Sequence, residues 1–288
     1  MIVSASRRTD LPRWYGEWFE RRLLDGYALV KNPMNALQVR RVSLLPADVD
    51  CFVFWTKDPE NFLPKLDLLD SHGYAYYFQF TLTPYGKGIE PGMRDKREIA
   101  RTFARLAQRL GRERVVWRYD PILLADGISS GYHRAEFIKL CELLAPYTDT
   151  VTVSFVDPYA KLKRAPFWPP TESEMDEIAA SIGKAARAYG LRAVACCEGR
   201  DFTRFGIGRA SCVDPARIEL ITGRRISAAR DKNQRLGCGC CQSVDIGTYD
   251  TCPAGCVYCY ASRTAGKGGV SLAAKRYGSH DPNSVMLC

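Results

Sequence analysis

The sequence predicts an α/β protein, a TIM-like (β/α) barrel or partial barrel that forms one domain over residues 1–288. Short apolar segments alternate with stretches of helical periodicity along the chain, which is the order of parallel βαβ units. Seven apolar segments occur, a number that suits a barrel better than an open doubly wound sheet. No G-x-G-x-x-G run follows any of them, which argues against a dinucleotide-binding fold.

The predicted strands are apolar and rich in β-branched and aromatic residues. They cover residues 2–5, 51–55, 74–82, 115–119, 150–156, 191–196 and 244–247. Residues 27–30 and 38–44 also predict extended structure, which we interpret as a hairpin inserted before the second βα unit.

Helices are predicted between the strands. Pro12 opens the first, with Trp14, Trp18 and Arg21 along one side. Asp58 is predicted as the N-cap of the second helix, with a proline following it. The remaining helices carry apolar residues at helical spacing: Ile99, Phe103, Leu106 and Leu110; Phe137, Cys141 and Leu144; and, after a Thr171–Glu174 capping box, Met175, Ile178, Ile182 and Ala186. Residues 200–240 are predicted as irregular, apart from a short apolar-periodic piece at 218–221.

Composition predicts a cytoplasmic protein without a membrane partner. No apolar run approaches the roughly 20 residues of a transmembrane helix, and the first residues lack the order of a secretory signal. The formal net charge is +9, but the basic residues are scattered rather than clustered. An ordinary basic surface is therefore favoured, with a nucleic-acid or phosphate-bearing partner as the alternative.

Nine of the twelve cysteines fall between residues 196 and 259. A reducing compartment disfavours disulfides, so this clustering predicts metal ligation. Cys252, Cys256 and Cys259 have the spacing C-x3-C-x2-C, and Gly255 between them permits a sharp turn. Iron–sulfur clusters usually take four cysteines, so three would leave one iron without a protein ligand, as an open catalytic site requires. The alternative is a zinc site completed by another cysteine.

The same motif, with an aromatic residue before its last cysteine, resembles the signature of the radical S-adenosylmethionine (SAM) superfamily. The resemblance implies a [4Fe–4S] cluster on Cys252, Cys256 and Cys259 whose open iron chelates SAM. Reductive cleavage of SAM would give a 5′-deoxyadenosyl radical that abstracts hydrogen from a substrate the motif does not identify. The resemblance also implies that Tyr258 packs near the adenine and that a flavodoxin- or ferredoxin-like protein donates one electron.

The motif lies at the opposite end of the chain from its usual place after the first strand, since only 29 residues follow Cys259. We therefore predict a circular permutation, in which the strand at 244–247 acts as the first strand and residues 2–5 lie beside it. The whole chain also resembles an uncharacterised bacterial family of domains of unknown function with a radical-SAM-like cysteine cluster at the C-terminus.

Radical SAM enzymes often carry an auxiliary iron–sulfur cluster, and the other cysteines of region 196–259 predict one here. We expect Cys212, Cys238 and Cys240 as ligands, with Cys197 or Cys196 as the fourth, because adjacent residues of a strand point apart. The alternative is that these cysteines are small buried hydrophobes.

Polar residues at the ends of the predicted strands complete the candidate site. Arg118 and Asp120 share a strand face, and Glu198 follows a strand; we expect these three to contact SAM. The sequence is thus interpreted as a radical SAM enzyme, with no catalytic side chain assigned. The alternative function is a non-enzymatic zinc or iron–sulfur protein that binds nucleic acid.

Overall fold

The computed structural model describes residues 1–157, 159, 165–235, 237–263 and 272–287. Within them, eight strands form one parallel sheet. These are β1 (Ile2–Ala5), β4 (Cys51–Thr56), β5 (Tyr76–Thr81), β6 (Val115–Ile122), β7 (Thr150–Phe155), β8 (Arg192–Ala195), β9 (Gly208–Arg209) and β10 (Val244–Asp245). Their spatial order is β10-β1-β4-β5-β6-β7-β8-β9. The α/β class predicted from the sequence is confirmed.

Helices connect most of these strands, as parallel pairing requires. The described residues contain α1 (Leu11–Trp14), α2 (Gly16–Asp25), α3 (Leu66–Ser71), α4 (Lys96–Leu110), α5 (Ser130–Leu144), α6 (Glu172–Ala188), α7 (Pro215–Thr222) and α8 (Leu272–Gly278). The capping box at α6 is confirmed, with the hydroxyl of Thr171 bound to the backbone N–H of Glu174. No helix in these residues is long and apolar enough to cross a bilayer.

The C-terminal strand β10 lies beside the N-terminal strand β1, as predicted. The two pair in parallel, with Val3 opposite Val244 and Ser4 opposite Asp245. The carboxylate of Asp245 accepts hydrogen bonds from the hydroxyl of Ser4 (2.9 Å), the hydroxyl of Ser6 (2.6 Å) and the backbone N–H of Arg7 (2.8 Å). This buried side chain therefore joins β10 to β1 and to the residues that follow β1.

The two faces of the sheet bury different groups, because successive strand residues point in opposite directions. On the helix side, the rings of Phe52 and Phe54 pack edge-on against Phe19 of α2, at 5.3 and 5.4 Å between centroids. On the other side, Val53 belongs to a cluster that contains Tyr77 and five cysteines, Cys51, Cys212, Cys238, Cys240 and Cys241. The cysteine-rich region therefore lies across the face of the sheet opposite α2.

The predicted hairpin is confirmed as a separate antiparallel pair, β2 (Tyr27–Asn32) and β3 (Asn35–Ser43). Two details of the region predicted as irregular differ. Strand β9 extends the sheet beyond the seven predicted strands, and the apolar piece at 218–221 is part of α7, which Asp214 caps.

The predicted helix start at Asp58 is wrong. A 3₁₀ helix begins at Glu60 without a side-chain cap, and α3 follows it. The buried carboxylate of Asp58 instead accepts two hydrogen bonds from the guanidinium of Arg94, at 2.7 and 2.6 Å. A bidentate, charge-assisted pair is stronger than a capping bond worth about 1 kcal/mol, and this explains the outcome.

The predicted first helix is divided at Tyr15, whose backbone leaves the helical region (φ −127°, ψ 28°). The following turns are therefore rotated relative to the predicted face. Arg22 is buried, and its guanidinium donates to the carbonyl of Asn283 at 3.0 Å, whereas Arg21 is exposed. The prediction that placed Arg21 on the same side as Trp14 and Trp18 is wrong, since Trp18 is buried and Arg21 is exposed.

Candidate functional site

A cavity of about 1130 Å³ opens at the carboxyl edge of the parallel sheet. Its walls include residues at or directly after the ends of β1, β4, β5, β6, β7 and β8, and the β2–β3 hairpin contributes to one side. Loops from distant parts of the chain meet at this edge because all parallel strands end there. Eight of the lining residues are cysteines: Cys196, Cys197, Cys212, Cys238, Cys240, Cys252, Cys256 and Cys259.

The C-x3-C-x2-C loop is attached to the segment before α4 by backbone hydrogen bonds. The N–H of Gly92 donates to the carbonyl of Ala254 (3.0 Å), and the N–H of Val257 donates to the carbonyl of Ile89 (3.0 Å). A Cβ atom on Gly92 would lie 2.4 Å from that carbonyl oxygen, so only glycine fits this approach. The predicted turn at Gly255 is confirmed by its φ of +71°.

Tyr258 anchors the loop from the side. Its hydroxyl donates to the buried carboxylate of Glu90, which also accepts from Lys57 (2.8 Å), Thr83 (2.8 Å) and Lys96. Burial alone would raise the pKa of Glu90, but the two lysines outweigh burial and lower the pKa to about 2. Glu90 is therefore an anion that holds the ring of Tyr258 in the cavity wall.

The thiols of the loop lie in a desolvated place. Burial raises the pKa of Cys252 to about 12, and it also raises the pKa of Cys256. Without a metal these thiols are protonated, and metal binding must displace their protons. Three soft sulfur donors on one tight loop are a donor set that suits an iron–sulfur cluster. Among the residues that the structure describes, no three His, Cys, Asp or Glu side chains are grouped so as to hold a single metal ion.

Arg118 lies between the polar and the cysteine-lined parts of the cavity. Its guanidinium pairs with Asp120, donates to the sulfur of Cys212 (2.9 Å) and to the side-chain oxygen of Gln79 (3.3 Å). It also lies over the indole of Trp55, 5.0 Å from the ring centroid. Its orientation is thus fixed from several sides, and the carboxylate of Asp120 lines the cavity beside it.

A second group of cysteines lines the same cavity. The sulfurs of Cys196 and Cys212 are 3.2 Å apart. The sulfur of Cys240 accepts from the backbone N–H of Cys212 (3.2 Å) and from that of the next residue (3.4 Å). Cys197 has a left-handed backbone, with φ of +53°, and its side chain interacts with Cys238.

A family described as a domain of unknown function, DUF1848, matches residues 2–261. The match spans both groups of cysteines and all but one of the helices given above. The chain belongs to the DUF1848 family. No curated protein and no solved structure matches the chain.

In this DUF1848 protein, most of the predicted site residues line one cavity. These are Arg118, Asp120, Tyr258, Cys197, Cys212, Cys238, Cys240, Cys252, Cys256 and Cys259. Glu198 is not part of the lining, and its carboxylate accepts from the hydroxyl of Ser154 (2.8 Å) and the N–H of Phe155 (2.9 Å). Sequence reasoning missed Glu90, which lies between two elements without a periodic pattern and gives no local signal.

Proposed function

We propose that this DUF1848 protein is a radical SAM enzyme that holds a [4Fe–4S] cluster on Cys252, Cys256 and Cys259. The supporting observation is the location of this loop, which follows the strand beside β1 and opens into the cavity at the carboxyl ends of the strands. Active sites of parallel βα proteins lie at this edge. When bound, a cluster with one iron free of protein supplies the electron that cleaves SAM to a 5′-deoxyadenosyl radical.

In this proposal, the polar wall of the cavity binds the rest of SAM. Asp120 offers a carboxylate for an ammonium group or ribose hydroxyls, and Arg118 keeps that carboxylate in one orientation. Tyr258 offers an aromatic surface for the adenine, and its hydroxyl is already held by Glu90. A flavodoxin- or ferredoxin-like protein provides the electrons.

We propose that the eight parallel strands form a TIM-like barrel or partial barrel that is circularly permuted. The pairing of β10 with β1 supports this, since it makes the strand before the cysteine loop the neighbour of the N-terminal strand. A permuted connection is tolerated where the two ends of a fold lie close together.

The test is the production of 5′-deoxyadenosine by full-length protein that is reconstituted without oxygen and reduced with dithionite in the presence of SAM. We expect Cys256→Ala to lose at least about tenfold of this product, because a cluster with two thiolates is poorly held. Cys141→Ala is the matched control, since Cys141 is buried in the core on α5. Equal product from Cys256→Ala and wild type, or none from wild type, would contradict the proposal.

A further inference from the structure

Five cysteines outside the C-x3-C-x2-C loop reach the cavity from three separate segments. Cys196 and Cys197 follow β8, Cys212 follows β9, and Cys238 and Cys240 precede β10. Cys51 packs in the same buried cluster as Cys212, Cys238 and Cys240, but neither Cys51 nor Cys141 lines the cavity. The convergence at one wall therefore sets the five apart from cysteines that only fill the core.

Two sulfurs in this group accept hydrogen bonds from nitrogen donors. The sulfur of Cys240 accepts hydrogen bonds from two backbone N–H groups, at N···S distances of 3.2 and 3.4 Å. The sulfur of Cys212 accepts one from the guanidinium of Arg118, at 2.9 Å. The thiolate is the form that binds metal, and N–H donors to ligand sulfurs tune the bound group. The backbone donors hold the sulfur of Cys240 in position by hydrogen bonds alone, so this sulfur can still bind a metal.

We propose that Cys197, Cys212, Cys238 and Cys240 bind a second iron–sulfur cluster that faces the same cavity. Adjacent residues at the end of a strand point apart, so only one of Cys196 and Cys197 serves as the fourth ligand, and we assign it to Cys197 because its side chain interacts with Cys238. The left-handed backbone of Cys197 costs about 1 kcal/mol or more and brings its side chain to Cys238. A cluster spreads its ligands over several irons, so these sulfurs do not need to meet at one point.

Four cysteine ligands close this second site, in contrast to the open site on the other loop. A closed cluster is typical of structural or electron-transfer roles. The side chain of Arg118 contacts both Cys212 and Asp120, so it would link the second cluster to the polar wall of the cavity. The second cluster is independent of SAM chemistry, because a separate set of residues holds it.

The test is the iron, acid-labile sulfide and zinc content of the full-length chain purified without oxygen. Wild type is expected to carry about eight irons and about eight sulfides, the content of two [4Fe–4S] clusters. Replacing Cys212, Cys238 and Cys240 by alanine should leave about four irons, and so should replacing the three cysteines of the other loop. Cys241→Ala is the matched control: this buried thiol adjoins Cys240 but donates to the carbonyl of Val213 (3.3 Å) and does not line the cavity. It should keep all the iron.

A pair of single variants tests the ligand choice with little effect on folding. Cys197→Ala should lose iron from the second cluster or yield a three-iron EPR signal, while Cys196→Ala should retain the wild-type content. About four irons in wild type, all lost with the C-x3-C-x2-C loop, would overturn the second cluster and leave the proposed function intact. Zinc in the second site would also overturn it. About four irons in wild type, all retained when the C-x3-C-x2-C loop cysteines are replaced and all lost when the second group is replaced, would instead contradict the proposed function alone.

Discussion

Asp245→Asn should lower the free energy of unfolding, because Asp245 joins the C-terminal strand to the N-terminal strand. Each of its carboxylate oxygens accepts two hydrogen bonds: Oδ1 from the hydroxyl of Ser6 and the N–H of Gly247, and Oδ2 from the hydroxyl of Ser4 and the N–H of Arg7. An amide has only one oxygen, so its NH₂ group must face one of these pairs. A hydroxyl can rotate away, but a backbone N–H cannot.

The loss follows from these contacts. Two hydrogen bonds to a charged acceptor are removed, each worth about 1.5–3 kcal/mol, and a buried N–H is left without its acceptor. Rotation of one hydroxyl recovers part of this, so we expect a decrease of about 3 kcal/mol, measured by urea unfolding of the full-length protein. Asp67→Asn is the control, since Asp67 is 82% exposed and pairs with Arg109 at the surface, and it should cost under about 1 kcal/mol. A decrease for Asp245→Asn no larger than for Asp67→Asn would refute the role of Asp245.

Three further predictions concern the cysteine loop and the fold. Gly92→Ala should reduce iron retention at least about twofold, because the added Cβ would collide with the backbone of the cysteine loop. Gly88→Ala is the control, since Gly88 has open space around it, and this variant should bind as much iron as wild type. Equal iron in the two variants would contradict the role of Gly92. Glu90→Ala should lower the free energy of unfolding by about 3–5 kcal/mol, since two lysines lose their buried counter-ion, and a urea midpoint unchanged from wild type would show that they need none. The pKa of Asp149 is lowered: burial would raise it, but hydrogen bonds from Arg217 outweigh burial. Ionised Asp149 therefore stabilises the folded protein above its unfolded pKa of about 4, and this stabilisation is lost as the pH falls through the folded pKa. The stability difference between wild type and Arg217→Gln should therefore shrink below about pH 4, and a difference that stays constant down to pH 2 would exclude this linkage.

The parts of the fold that depend on local patterns could be predicted from the sequence. The capping box of Thr171 and Glu174 is a contact within one helical turn, and it forms as expected. The place of β10 beside β1 followed from the position of the cysteine motif and from the rule that parallel βα units continue around one sheet. Strand β9 was missed because two residues, Gly208 and Arg209, carry no periodicity.

Side-chain contacts between residues distant in sequence could not be predicted. Asp58 has the local signature of a helix cap, yet its carboxylate accepts hydrogen bonds from Arg94, which is 36 residues away in sequence. Glu198 follows a strand as a cavity residue would, but its carboxylate bonds to Ser154 and Phe155 on the neighbouring strand. Glu90 has no local signal at all, and its role arises from the lysines and the tyrosine that surround it in space.

The proposed function requires that one iron on the C-x3-C-x2-C loop is free to bind SAM. The most direct measurement is the EPR spectrum of the reduced, full-length protein with and without SAM. We expect SAM to shift the g-values of one cluster signal, and we expect this signal to be absent from the variant in which Cys252, Cys256 and Cys259 are alanine. A spectrum that SAM leaves unchanged, or a SAM-sensitive signal that survives in that variant, would contradict it.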